Sequence, residues 1–374
     1  MPISSRALAV SALALLLAAC GGKKSETATA PAAEEPVVNV YNWSDYIDTT
    51  VLEDFTKETG IKVNYDVFDS NELLQTKLLS GKSGYDVVVP SGSFLEKQIQ
   101  AGVFQKLDKS KLVNLANIDP AIQTATAKHD AGNEHAVAYF WGTSGVGYNI
   151  DKVNAAMPNA PVNSFAMFYD PKVIANFKKC GVTMLDAPDE VVATVLLYLG
   201  REPMSEKAED LAAAEKVLLS IRPFVREIKS SGYLDDLANG EICLALGWSG
   251  DVGQGKSRAE EAGKGVKLQY NIPKEGAIQF FDMLAVPADA PHVGNAHKFI
   301  NYLLSKDVAI KNTNFVRYAS PNAAARDGID PAITGDANIY PTPEVAAKLS
   351  PNLARSQEFT RELTRVWTRF KTGK

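Results

Sequence analysis

Between Val37 and Pro90 the chain alternates, at short and regular spacing, between runs that read as strands and runs that read as helices. Val37 to Trp43, Ile61 to Phe68 and Tyr85-Asp86-Val87-Val88-Val89-Pro90 are strand-like. Between them, Thr49 or Thr50 can cap a helix that places Val51, Leu52 and Phe55 on one face and ends at Gly60. Ser70 can cap a second, carrying Leu73, Leu74, Leu78 and Leu79 and ending at Gly81. Strand, helix, strand, helix, strand at this spacing predicts an α/β fold with a mostly parallel sheet flanked by helices. Ligands of such sheets bind beyond the carboxyl ends of the strands. Trp43-Ser44-Asp45-Tyr46 and Ser91-Gly92-Ser93-Phe94 fall at those ends.

A second αβ pattern follows. Val137 to Tyr148 is apolar and glycine-rich and reads as a crossing into another lobe. There, Leu185-Asp186-Ala187-Pro188-Asp189-Glu190 opens the apolar helix Val191 to Leu199, and Ser205 caps one through Leu219. Asp235 to Asn239 ends a helix at Gly240 before the buried strand Ile242 to Leu246, and Phe280 to Val286 runs back toward the first lobe ahead of a helix from Ala296 to Leu304. The expected division is 37–141 with 283–320, and 142–282 with 321–374. A closing helix near 359–370 puts Phe359, Leu363, Val366, Trp367 and Phe370 on one stripe, which assigns Trp367 to a core.

Three segments combine large aromatics with carboxylates: Trp43-Ser44-Asp45-Tyr46, Gly247-Trp248-Ser249-Gly250-Asp251 and Phe280-Phe281-Asp282. Aromatics prefer the core and carboxylates prefer water, so a strand-end loop that offers both suggests a site for a cation. The charge balance is mildly acidic. Among 374 residues, 39 basic and 44 acidic side chains give a net charge of -5, and the absence of a basic block gives no support to nucleic-acid binding.

The N-terminus reads as an export signal: Arg6, the apolar Ala7 to Leu17, then Leu17-Ala18-Ala19-Cys20. About a dozen apolar residues suit a signal-peptide core and are too few to span a bilayer. Small residues before Cys20 resemble the lipobox of bacterial lipoproteins, which implies a signal peptide 1–19, an acylated Cys20 and a membrane anchor. Residues 20–36, polar and rich in Ala and Pro, are expected to be a flexible tether. Beyond Cys20 only Cys180 and Cys243 remain. In an oxidising compartment an even pair reads as a disulfide, the alternative being two separately buried thiols.

Several chemistries lack their residues. His129, His135, His292 and His297 form no metal-ligand spacing, so no metal centre is expected, and no cofactor is implied. Gly247 to Asp251 falls one glycine short of a G-x-S-x-G nucleophile elbow. Gly250, Gly253 and Gly255 match no phosphate-loop fingerprint. An enzyme is not expected.

Tyr41-Asn42-Trp43-Ser44-Asp45-Tyr46-Ile47, Tyr65 to Glu72, Val88-Val89-Pro90-Ser91, Leu185-Asp186-Ala187-Pro188, Gly247 to Asp251, Ile272-Pro273-Lys274-Glu275-Gly276 and Phe280-Phe281-Asp282 together resemble the periplasmic polyamine-binding proteins of ABC importers, of the putrescine-binding type. The resemblance implies a two-lobed type II periplasmic-binding-protein fold with the ligand cleft at the hinge. It implies an aromatic cage of Trp43, Tyr46, Trp248, Phe280 and Tyr318, a polar contact from Ser91, and ammonium-binding carboxylates at Glu190, Asp251 and Asp282. Ser44 and Asp45 sit where family members differ with substrate. Cys180 and Cys243 match a cysteine pair of close relatives. Implied partners are a polyamine of the putrescine or spermidine class and an ABC permease, with the chain a periplasmic monomer. The alternatives are a receptor for an amino acid or sugar, an exported lipoprotein enzyme, or a periplasmic polyamine sensor. An amino acid receptor would need a cation for the carboxylate, and the nearest candidate is Arg317.

Overall fold

The structure, a computed structural model, describes residues 34–373. The expected signal peptide, Cys20 and the tether as far as residue 33 lie outside the described residues. Among the described residues ten strands are present: β1 (Val37–Trp43), β2 (Lys62–Phe68), β3 (Val87–Val88), β4 (Ala136–Asn149), β5 (Val182–Met184), β6 (Glu227–Ile228), β7 (Leu244–Trp248), β8 (Leu268–Asn271), β9 (Ala277–Ala285) and β10 (Leu349–Pro351). They join in the order β2–β1–β3–β9–β4–β7–β5–β6, with β10 beside β9 and β8 beside β4. Pairing is parallel at both ends, where β2, β1 and β3 form one set and β7, β5 and β6 the other. The junctions between them are antiparallel.

The long central strand explains this arrangement. All fourteen residues of β4 are buried, with no alternation, as expected of a strand covered on both faces. Its first half pairs with β9 as far as Ser144 opposite Ile278, and its second half pairs with β7 from Ser144 opposite Trp248. Ser144 is therefore the point at which the strand passes from one half of the body to the other.

The apolar side chains gather accordingly. One cluster unites Val146 and Val153 with Phe165 to Phe177, the helix Pro188–Tyr198, β7 and the stripe Phe359, Leu363, Val366, Trp367 and Phe370 of the helix Gln357–Thr372. Trp367 is core, as its spacing predicted. The Cys180–Cys243 disulfide lies in this half, with Cα atoms 5.5 Å apart. Two further clusters surround β1, β3 and β9. Ala325, Ile329, Ile333 and Ile339 belong to the cluster of Tyr41, Phe68 and Trp141.

Several local expectations shift. The helix Thr49–Thr59 is capped by Asp48, whose carboxylate accepts the Thr50 N–H at 2.9 Å, and not by either threonine. The helix Ala208–Ile221 starts three residues after Ser205, whose hydroxyl is engaged with Asp210. The expected tether also ends early. The Glu34 carboxylate accepts the N–H groups of Gly294 and Asn295, at 2.7 and 2.9 Å, in the first turn of the helix Val293–Leu303, and the Asn295 amide donates to the carbonyls of Glu35 and Val37. Residues 34–36 are docked against the body because a carboxylate compensates a helix N-terminus.

Candidate functional site

The strand ends converge on one cavity of about 800 Å³, measured with its open mouth. All eleven residues singled out from the sequence line it: Trp43, Ser44, Asp45, Tyr46, Ser91, Glu190, Trp248, Asp251, Phe280, Asp282 and Tyr318. They arrive from six places. Trp43 closes β1 and runs on into Ser44, Asp45 and Tyr46; Ser91 precedes the helix Gly92–Gln100; Glu190 is in the first turn of the helix Pro188–Tyr198; Trp248 closes β7, with Asp251 in the helix Ser249–Glu261 that follows; Phe280 and Asp282 lie on β9; and Tyr318 follows the helix Lys306–Val316.

The aromatic rings form an unbroken series. Trp43 meets Trp248 edge-on with ring centroids 5.8 Å apart, Trp248 meets Phe280 at 6.3 Å, Phe280 meets Tyr318 at 6.2 Å, and Tyr318 meets Tyr46 at 4.9 Å. Their orientations are fixed by polar handles. The Trp43 indole N–H donates to the Val89 carbonyl at 2.9 Å, and the Trp248 indole to Glu190 at 3.0 Å. Tyr318 can approach only because position 250 lacks a side chain: a Cβ there would lie 2.0 Å from the Tyr318 ring.

The carboxylates are buried among hydroxyl donors. Tyr318 donates to Asp251 at 2.6 Å; Tyr46 and Ser91 donate to Asp282 at 2.7 and 2.6 Å; Ser144 donates to Glu190. Burial nonetheless pushes Asp251 and Asp282 up to about 6 and Glu190 up to about 7, against the pull of these donors. A charged carboxylate in such surroundings is costly unless a cation joins it. The cavity supplies none. Its lining holds eight acidic residues, Asp45, Asp69, Glu72, Asp186, Asp189, Glu190, Asp251 and Asp282, and no lysine, arginine or histidine among the described residues.

Asp45 stands apart from the other expected acids. Its carboxylate is ion-paired at 2.6 Å with Arg258, which also binds Asp235 at 2.7 Å, while Gln254 donates to the Asp45 carbonyl at 2.9 Å. Reading the sequence missed Arg258. Its signal was present: it follows Asp251 by seven residues, two turns along the helix Ser249–Glu261. Arg317, the expected alternative cation, pairs with Asp330 at 3.1 Å and is not part of the lining. Asn71, Phe94, Asp189, Ser231 and Asn352 also line the cavity and were not anticipated. Asn71 fixes Ser91 in both directions, donating to its hydroxyl at 3.1 Å and accepting its N–H at 3.0 Å.

A cleft at the crossing of two α/β halves, walled by aromatics and buried carboxylates, belongs to a solute receptor of the type II periplasmic binding fold. The chain matches the family of bacterial extracellular solute-binding proteins over residues 50–342 and belongs to that family. It is 52% identical over 348 residues to the putrescine-binding periplasmic protein SpuD of Pseudomonas aeruginosa, covering 92% of this chain and 94% of that protein. It is 50% identical over 345 residues to the putrescine-binding periplasmic protein PotF of Escherichia coli, covering 92% and 93%. Among solved structures it is similar to the spermidine/putrescine ABC transporter substrate-binding protein PotD of Streptococcus pneumoniae, with a TM-score of 0.73, 27% identity, and coverage of 90% of this chain and 99% of that one.

Proposed function

We propose that the cleft captures a linear diamine of the putrescine type. One ammonium group is received by Asp251 and Asp282, the other by Glu190, and the methylene chain lies along Trp43, Trp248, Phe280, Tyr318 and Tyr46. The observation that carries this is the lining itself, eight carboxylates of which, among the described residues, only Asp45 and Asp186 are ion-paired, beside a continuous aromatic wall. Two relatives at half identity or more bear putrescine in their names. A diamine has two strongly hydrated charges on an apolar linker, so its receptor needs anionic ends and flat apolar sides. Each desolvated cation–π contact contributes roughly 0.5–2 kcal/mol. No bond need be made or broken, and we read the site as binding without catalysis.

The two halves joined at Ser144 serve as lobes, 37–141 with 283–340 and 142–282 with the remainder. The packing of Ala325, Ile329, Ile333 and Ile339 beside Tyr41 and Phe68 favours 340 over the expected boundary at 320. The loaded receptor would pass its amine to an ABC permease from the periplasm, held near the membrane by acylated Cys20. Titration calorimetry with putrescine and with 4-aminobutyrate tests the assignment. The expectation is saturable one-to-one binding of putrescine and none of the amino acid, whose carboxylate meets only acids. Equal binding of the two would replace it with an amino acid receptor.

A further inference from the structure

Three glycines fall in the first half of the helix Ser249–Glu261, at positions 250, 253 and 255, although only proline forms helices less readily. Their surroundings account for them in two ways. A Cβ at Gly255 would lie 3.0 Å from the Leu234 carbonyl oxygen, on the adjoining helix Tyr233–Ala238. A Cβ at Gly253 would instead lie 2.9 Å from that of Arg317, just as one at Gly250 would meet the Tyr318 ring. Two glycines three residues apart share a helix face. This face meets two consecutive residues of the opposite half, since Val252 packs in the cluster of β7 whereas Val316 and Tyr318 pack in that of β1 and β9.

Arg317 is a fixed stop on the other side. It ends the helix Lys306–Val316 in the left-handed region, at φ 60° and ψ 12°, which a residue with a side chain holds only where its surroundings over-determine it. Its N–H donates to the Thr313 carbonyl at 2.9 Å, its guanidinium pairs with Asp330 at 3.1 Å, and its Cβ faces Gly253. Asp330 is held in turn, its N–H donating to the Asn314 amide oxygen at 2.8 Å. Two residues after Arg317, the Ala319 carbonyl accepts the Trp141 N–H of β4 at 3.1 Å. Tyr318 is therefore strung between a pinned turn and the central strand, and its hydroxyl reaches Asp251 on the helix that carries the glycines, at 2.6 Å.

Taking Asp251 as an ammonium-binding carboxylate of the cleft, we infer that Gly253 and Arg317 are positioning residues for it: their contact sets how closely the helix Ser249–Glu261 approaches the Arg317 turn, and with it whether the Tyr318 hydroxyl reaches Asp251. Neither residue lines the cavity. A side chain at 253 would meet a Cβ, not the movable end of a long side chain, so the two elements would have to part. The bond from Tyr318 to Asp251 spans the same gap and would open with them.

The test is calorimetric titration of the full chain with putrescine, in which the fitted stoichiometry separates misfolded protein from weakened binding. Gly253→Ala should weaken putrescine by about fivefold or more, the scale of a disturbed hydrogen bond to a charged group. Gly255→Ala, the same change facing its own half, should stay within about twofold of wild type, and in a Tyr318→Phe background Gly253→Ala should add less than about twofold, because the bond it disturbs is already gone. Arg317→Lys keeps the Cβ and the charge and should also stay within about twofold, whereas Arg317→Gly suits the positive φ but keeps neither and should lose about fivefold or more. This pair decides the question if Gly253→Ala does not fold. A second readout needs no ligand: the Asp251 carboxyl carbon followed through pH by NMR. Gly253→Ala and Tyr318→Phe should each move its midpoint above about 6, because each withdraws a donor from the ionised form, while Tyr233, Asp45, Arg258 and Asp282, which also bear on Asp251, are unchanged in every variant. The inference is overturned if Gly253→Ala changes neither affinity nor midpoint, if Gly255→Ala changes them as much, if the effect of Gly253→Ala is undiminished beside Tyr318→Phe, or if Arg317→Gly binds like Arg317→Lys. If wild type binds no diamine while the midpoint moves as expected, the polyamine reading of the cleft fails and the placement of Asp251 stands.

Discussion

Trp248 and Trp367 each donate an indole N–H to a carboxylate, to Glu190 at 3.0 Å and to Asp186 at 2.7 Å. The two surroundings nevertheless differ in how charge is settled. The second Asp186 oxygen receives the Lys371 ammonium at 2.6 Å, and the Trp367 ring is packed in the core with Phe370. Among the described residues Glu190 receives only the Ser144 hydroxyl besides the indole, and the Trp248 ring stays half-buried at the cleft. Aromatic and acid occur together in both places. Whether the chain supplies the cation separates an internal brace from a site that waits for one.

The largest expected effect tests the brace. Trp367→Ala should cost about 3–5 kcal/mol of stability, as large aromatic truncations in cores do, while the folded fraction keeps its diamine affinity. Denaturant melts with parallel calorimetry check this; a comparable loss of affinity would dissolve the distinction. Next, Glu190→Gln should lower putrescine affinity by about 2–5 kcal/mol, the range for stripping one partner from a buried charge pair, without loss of stability. Asp186→Asn should leave that affinity within about twofold, since its charge already has an internal partner. Should both variants lose affinity alike, charge settlement is not what separates the regions.

The third test is pH. The folded-state values of Asp251, Asp282 and Glu190, about 6, 6 and 7, lie above those of an unfolded chain, so burial penalises their ionised forms. Between about pH 4 and 7 the folded protein holds protons that the unfolded chain has released, and ligand-free stability should fall as pH rises through that window. Diamine affinity should climb over the same interval, by at most about tenfold per unit for each carboxylate that must ionise. Calorimetry in buffers of different ionisation enthalpy would register proton release on binding, and Glu190→Gln should reduce it. The smallest effect belongs to Arg258→Gln. The Arg258–Asp45 pair is partly exposed, and its loss should cost about 1 kcal/mol or less in affinity. A loss as large as that of Glu190→Gln would place Asp45 among the ligand's principal charge partners.

Much of this was legible in residue order, and what was not has identifiable causes. Alternating strands and helices from Val37 to Pro90 declared the parallel set, because periodicity is a local property. The aromatic and acidic residues at strand ends declared the cavity, and Phe359 to Phe370 declared a core face. Asp48 was passed over as a cap because two threonines follow it and local preference does not choose among neighbours. Asn352 was invisible for another reason. It follows a three-residue strand that has no recognisable period, and only its long-range alignment with β9 carries it to the cleft. Glu34 read as tether because its partner, the start of the helix Val293–Leu303, is some 260 residues away.

Ser144 also gives the cleft a fixed reference. It stands where β4 exchanges β9 for β7, and its hydroxyl grips Glu190, so that carboxylate is indexed to the strand shared by both halves. Should the halves tilt against each other like the arms of a lever, Ser144 would be the fulcrum and Glu190 would stay with it, whereas Glu72, on the helix Asn71–Leu79 and without such a grip among the described residues, would travel with its own arm.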